Sequence, residues 1–321
     1  MIHIIQQFTN PLGGTELHAL DLYRILQRHA PIRLWSEFKP SPRLTEKWEI
    51  KLIRPKRLAY PKTGTFVFCG ACWYVGPWLE LSFPRRIIVL HNYDHDSHRD
   101  WFARARSPWL PKAEWIFASE HLQRKSALVG HIEPSPIDIA RFSPTARCTQ
   151  QERPFTVGRL SRDVPEKFHK DDCALYLRLA EAGVKVRIMG GLVLRHQLPQ
   201  HLLIELLPEG AEPAEDFLRS LDCFTYRTRD DLYEAFGRVV LEAMSCGLPV
   251  VCGSSGGYTA QIEQGRNGFL FNDNNDALAK ILQLRANPAM RHEMGLNARL
   301  TAEYIYGNGL PQSMIDFYLR P

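Results

Sequence analysis

The 321-residue sequence predicts an α/β protein with two doubly wound parallel sheets, one in each half of the chain. Two patterns predict it. Short runs of continuous apolar residues recur along the whole length, as strands covered on both faces require. Amphipathic stretches of helical period separate them. The length agrees, because it suits two domains of about 150 residues each better than one core.

In the first half the strand candidates are IHII at the N-terminus, TFVFC (65–69), RIIVL (86–90) and EWIFAS (114–119). In the second they are FTVG (155–158), KVRIMG (185–190), DCFTY (222–226), PVVCG (249–253) and GFLF (268–271). Helical stretches such as ELHALDLYRILQRH (16–29) and DDCALYLRLAEAG (171–183) lie between them. The polar, aperiodic segment SPTARCTQQERP (143–154) reads as a linker. The expected domains are therefore 1–150 and 151–305, two Rossmann-like units facing each other across a cleft. In such sheets ligands bind beyond the C-terminal ends of the strands, so motifs in strand-to-helix loops carry the most weight.

Composition excludes several classes. Apolar content of 45% with 23% charged residues is that of a globular protein, not a disordered one. No run approaches the roughly 18 to 20 apolar residues that span a bilayer. MIHIIQQF lacks the basic and long apolar regions of a secretory signal, so a cytoplasmic location is expected. Seven scattered cysteines make no disulfide framework. The CxxC pair Cys69 and Cys72 has neither a second ligand pair nor a thioredoxin-like helix after it, and reads as small residues packed at a strand end. Residues 1–150 carry 21 Lys+Arg and 13 Asp+Glu, a net of +8, whereas residues 151–321 carry 19 and 22, a net of −3. A basic first half suits an anionic partner. No nucleic-acid recognition module accompanies it.

Three loops carry the chemistry. NPLGGTE (10–16) follows the first strand, and Gly13-Gly14 would let backbone amides approach an anion at a helix start. A tight turn explains the same residues equally well. VGRLSRDVPEKFHKDD (157–172) places Arg159 after a strand and Lys167 eight residues on, a fork and a point charge that suit a diphosphate. An exposed basic loop is the plainer alternative. EAFGRVVLEAMSCGLPVV (234–251) sets Glu234 in a loop before Phe236-Gly237 and places Glu242 in the second turn of a helix. That helix runs from about Arg238 to Cys246 and is ended by Gly247-Leu-Pro249. Carboxylates suit a polyhydroxylated ligand, since each accepts several hydroxyl hydrogen bonds. A further Gly-rich loop, GSSGGYT (253–259), again follows a strand.

EAFGRVVLEAMSCGLPVV resembles the E-x7-E motif of retaining glycosyltransferases, most closely glycosyltransferase family 4 with its GT-B fold. GGTE, HNYD (91–94), PIDIARFSP (136–144), GRLS with a later Lys, and GGYTAQIEQGRNGFLF (256–271) fall in the family's order. The likeness is dense over 155–275 and thin over 30–85. It implies that a nucleotide-diphosphate sugar is the donor, with UDP slightly favoured over GDP. It also implies that a glycan or lipid-linked hydroxyl is the acceptor and that no metal is required. Glu234 would hold donor-sugar hydroxyls, and Glu242 the ribose. The amides around Phe236 and Gly237 would support sugar and diphosphate, with Arg238 beside them. Arg159 and Lys167 would neutralise the diphosphate, Gly14 would approach it, and His91 would lie near the sugar. A first, acceptor-side domain, a second, donor-binding domain and a final helix (306–321) packing back onto the first are implied as well.

Three departures stand out. Tyr226-Arg227 replaces the family's usual Pro-Ser, the Arg159-to-Lys167 spacing is long enough for Lys170 to compete, and Arg238 stands where an apolar residue is common. The donor's identity is what these leave open.

His91, Asp94, His95, Asp96 and His98 could suggest a metal site, but they begin in a loop after a strand and share no helical face. RDWFARARSPWLPKAEW (99–115) and KLIRPKR (51–57) mix cations with aromatic or apolar residues and suit peripheral contact with an anionic membrane face. Lipopolysaccharide or other surface-polysaccharide synthesis is the setting that follows. The rival function is a non-catalytic sugar-nucleotide or glycan-binding protein. A dehydrogenase needs a GxGxxG loop after a strand, and the sequence has none.

Overall fold

β1 (Ile2–Ile5) is buried at all four positions, which is why IHII shows no alternation. In the computed structural model, which describes residues 1–70, 73, 75–92, 107–145, 153–307 and 310–321, it lies inside a seven-stranded sheet. The others are β2 (Ile32–Ser36), β3 (Ile50–Leu52), β4 (Thr63–Cys69), β5 (Phe83–His91), β6 (Ala113–Phe117) and β7 (Gly130–Ile132). Every pairing is parallel, and the order is β3-β2-β1-β4-β5-β6-β7. Helices α1 (Gly14–Leu26), α2 (Pro42–Thr45) and α3 (Glu120–Ser126) belong to this unit. Chain direction across the sheet reverses between β1 and β4, and the loops leaving those strands carry Gly13-Gly14 and Gly70.

The second unit holds a six-stranded parallel sheet ordered β10-β9-β8-β11-β12-β13. Its strands are β8 (Thr156–Leu160), β9 (Lys185–Met189), β10 (Ile204–Leu207), β11 (Cys223–Tyr226), β12 (Val250–Gly253) and β13 (Gly268–Phe271). Its helices are α4 (Asp172–Glu181), α5 (Ala214–Arg219), α6 (Arg238–Ser245), α7 (Asn274–Ala286) and α8 (Pro288–Tyr306). Here the reversal falls between β8 and β11. A crevice forms outside the strand ends at such a point, so the sheet topology alone marks the loops after β8 and β11.

The units comprise Met1–Pro136 with the C-terminal residues, and Ile137–Gly307. The change of unit therefore comes ahead of the polar 143–154 segment. Residues 137–145 side with the second unit because its arginines hold their carbonyls. Arg219 donates to Arg141 O (2.6 Å) and Ser143 O (3.0 Å), and Arg299 to Ile139 O (2.9 Å) and Phe142 O (3.1 Å). Residues 146–152 lie outside the described set.

The last helix, α9 (Gln312–Leu319), is part of the first unit's core. Met314, Ile315, Phe317 and Tyr318 are buried among residues of α1 and of strands β1, β4, β5 and β6. Arg86 of β5 donates to Phe317 O (2.8 Å) and to Glu114 (2.6 and 2.9 Å), while Tyr318 donates to the fully buried Glu133 (2.9 Å).

Candidate functional site

β8 and β11 stop side by side, and their following loops meet beyond the strand ends. The first loop turns through a 3-10 segment, Pro165–Lys167, which raises Lys167 toward the second. Its Nζ lies 2.5 Å from Glu234 Oε2. Tyr226, the last residue of β11, donates its phenol to the same oxygen at 2.7 Å. Oε1 of Glu234 makes no hydrogen bond with the described residues. Burial works against the Glu234 charge, but the charge and hydrogen bond of Lys167, then Tyr226 and the charge of Arg162, outweigh it. The carboxyl is held below its ordinary range. Burial, and next the Glu234 charge, push the Tyr226 phenol well above its usual value, so it stays a donor.

Behind the pair lies a buried cationic network. Asp172, at the start of α4, is 1% exposed. It accepts from Arg227 Nε (2.6 Å), Arg159 Nη1 (3.3 Å) and the His169 amide (3.0 Å). Arg159 also donates to the Lys167 carbonyl. Its guanidinium lies 4.4 Å from the ring centroid of Phe168 and 4.7 Å from that of Tyr226. Its exposure is 1%. Arg159, expected to neutralise a diphosphate, has its guanidinium turned inward, where it braces the loop that carries Lys167. The exposed cation of that loop nearest in effect is Arg162, whose charge reaches Glu234 and whose side chain makes no hydrogen bond or ion pair with the described residues. Lys170 is exposed in the turn before α4.

Glu234 leads directly into α6. Its carbonyl accepts from Gly257 N (2.7 Å), which binds the Gly-rich loop after β12 to the acidic loop. Phe236 is nearly buried, and Gly237 caps α6 in the left-handed region (φ 78°) with no side-chain cap. Only glycine fits there, because an added Cβ would stand 2.5 Å from the Tyr258 ring. The first amides of α6 therefore lack a side-chain acceptor, the usual condition for an anion site. One helical turn on, Glu242 is 4% exposed and accepts from Arg238 Nε at 2.8 Å. Gly247, again left-handed (φ 73°), ends the helix as the Gly-Leu-Pro signal predicts.

In the first unit His91 ends β5, 4% exposed, with its ring edge-on to Trp115 (6.4 Å) and Phe117 (5.7 Å). Gly13 caps α1, and Glu16 folds back to accept from Asn10 N at 3.2 Å. Nothing lies within 4 Å of where a Cβ on Gly14 would stand. Asp94, His95, Asp96, His98, Cys72 and residues 99–106 lie outside the described residues. Among the described ones, no three His, Cys, Asp or Glu gather as a metal site would require. None of the described helices is long and apolar enough to cross a membrane.

Tyr226, Arg227, Asp172 and Arg162 were not foreseen as site residues. The substitution of Tyr-Arg for Pro-Ser was the available signal for the first two.

Residues 196–301 match the family model described as glycosyl transferases group 1, a segment that includes Glu234 and Glu242. The chain is 30% identical over 168 residues to trehalose synthase of Pyrococcus horikoshii, covering 46% of this chain and 39% of that one. It is 28% identical over 210 residues to D-inositol 3-phosphate glycosyltransferase of an Arthrobacter species, covering 58% and 49%. The match thus spans less than half the length of either relative. Among solved structures, Anabaena HepE in complex with UDP and glucose superposes with a TM-score of 0.73 at 18% identity, covering 98% of this chain and 97% of that one. WaaG, a glycosyltransferase involved in lipopolysaccharide biosynthesis, gives 0.71 at 11% identity over the whole of both chains. The fold is GT-B.

Proposed function

We propose that the chain is a retaining glycosyltransferase of the hexosyltransferase type. It moves a sugar from a nucleotide-diphosphate donor, UDP ahead of GDP, to a hydroxyl of a glycan or lipid-linked acceptor. The observation that carries this is the Lys167–Glu234–Tyr226 cluster at the β8/β11 reversal, immediately before an uncapped helix start. HepE, of the same fold, is described in complex with UDP-glucose as well as with UDP, which supports a nucleotide-sugar donor.

In this reading Glu234 Oε1 accepts donor-sugar hydroxyls, and the Phe236 and Gly237 amides support the diphosphate. Glu242 takes the ribose, with Arg238 aligning its carboxylate. Transfer breaks the bond between the anomeric carbon and the diphosphate oxygen, with the electron pair leaving on the phosphate. The acceptor oxygen bonds to that carbon from the same face and gives its proton to the departing phosphate. Charge develops on the diphosphate, and Lys167 with exposed Arg162 neutralises it without a metal ion. The resemblance gives His91 to the sugar and Gly14 to the diphosphate. The acceptor belongs to surface-polysaccharide or lipopolysaccharide synthesis, met at the cytoplasmic face of an anionic membrane. The WaaG likeness and the basic first half of the sequence support that setting.

A thermal-shift panel of UDP, GDP, ADP and TDP sugars tests the donor. A ligand at 100 times its Kd adds about 2.7 kcal/mol of stability. A clear rise with a UDP sugar is expected, and no rise with any of them refutes the reading.

A further inference from the structure

We propose that Tyr226 is a positioning residue for Glu234. Its phenol and Lys167 together occupy one carboxylate oxygen and so fix the other as the acceptor presented to the donor sugar. The inference rests on the reading above and adds a residue that the family motif does not supply.

The geometry is specific. Both donors meet Oε2, Lys167 Nζ at 2.5 Å and Tyr226 Oη at 2.7 Å, and Oε1 has no partner among the described residues. A lysine alone fixes a carboxylate poorly, because its ammonium is a mobile point charge on a flexible stem. The phenol is different, because its ring cannot turn. It stacks on Phe224 (6.2 Å, 12°), meets Tyr258 edge-on (5.8 Å, 82°) and carries the Arg159 guanidinium 4.7 Å from its centroid. Two converging donors, one of them rigid, set the carboxylate plane and therefore the direction in which Oε1 accepts. Hydroxyl recognition depends on that direction. Being neutral, the phenol adds this constraint without cancelling the Glu234 charge.

A merely structural tyrosine, whose hydroxyl only needs a buried partner, makes a different prediction. Its loss would lower stability and affect UDP and UDP-glucose alike. A positioning role acts on the sugar only. Tyr226→Phe keeps the ring contacts, so the full-length variant can be titrated calorimetrically with UDP and with UDP-glucose. Affinity for UDP is expected to stay within about twofold, while affinity for UDP-glucose and its turnover fall about tenfold, the scale of one directed hydrogen bond. In the Glu234→Gln background the same change should leave the ratio of the two affinities unaltered, a comparison that cancels any general loss of stability. Equal losses for both ligands, or unchanged UDP-glucose binding, overturn the inference while the donor reading stands. Failure of the unmodified protein to bind any nucleotide sugar of the panel overturns both.

Discussion

Lys167 Nζ and Glu234 Oε2 stand 2.5 Å apart although 67 residues separate them in the chain. Each arrives on the loop after a different strand of one sheet, and the two strands flank the point where its winding reverses. The pair is asymmetric. Removing the cation strands a mostly buried carboxylate, whereas removing the acid leaves a long side chain that can turn to solvent. Lys167→Met should therefore cost about 3 kcal/mol, and Glu234→Gln about 1 kcal/mol. Urea denaturation of the two variants checks the order.

Asp172 stands between two arginines, with Arg227 Nε at 2.6 Å and Arg159 Nη1 at 3.3 Å. Asp172→Ala would leave both guanidinium groups buried without their acid. The expected loss is about 3–5 kcal/mol. Since this acid also sets the position of the Lys167 loop through Arg159, donor turnover should fall in whatever fraction remains folded. A stability loss under about 1 kcal/mol in denaturant titration would show that the network does not carry the loop.

The final helix is tied down by Arg86, which bonds Glu114 and the Phe317 carbonyl. The Arg86 hydrogen bonds hold the Glu114 carboxyl below its ordinary value of 4.5. A carboxyl depressed in the folded state stabilises fully above the unfolded value, and that contribution is lost as pH falls through the folded one. Glu114 is partly exposed, so the effect is screened and modest. Melting temperature should drop as the solution is acidified below about pH 4.5, and Glu114→Gln should flatten that acid limb.

Two glycines should respond oppositely to alanine. At Gly14 there is room and a helical position, so the change should raise stability by up to about 1 kcal/mol. If a ligand uses that space, UDP-glucose turnover falls at the same time. At Gly237 the positive φ and the Tyr258 ring forbid a side chain, so the change should cost more than about 1 kcal/mol. Thermal melts with a turnover assay separate the two cases.

What the sequence revealed follows burial. The central strands are unbroken apolar runs because both faces are covered, and all nine anticipated segments are strands. β2, β3, β7 and β10 escaped notice. β3, β7 and β10 are edge strands in which only three or four residues pair, and IRLWS, IKL, GHI and IELL mix polar with apolar residues. At the site, the E-x7-E spacing and the Gly-Leu-Pro stop mark a helix, and Arg238–Ser245 is one. The spacing could not show that Arg159 turns inward, because one of the rings that receive its guanidinium, Tyr226, comes from a strand far along the chain. Nor could it pair Tyr226 with Glu234, since that contact depends on how the acidic loop folds back.

The central claim is that Glu234 holds the donor sugar during transfer. Glu234→Gln keeps the size and neutralises the charge, so the most direct measurement compares this variant with the unmodified protein in sugar release or transfer from UDP-glucose, alongside their melting temperatures. A fall in turnover of about 100-fold or more at nearly equal melting temperature is expected. Equal turnover by the two proteins would contradict the assignment.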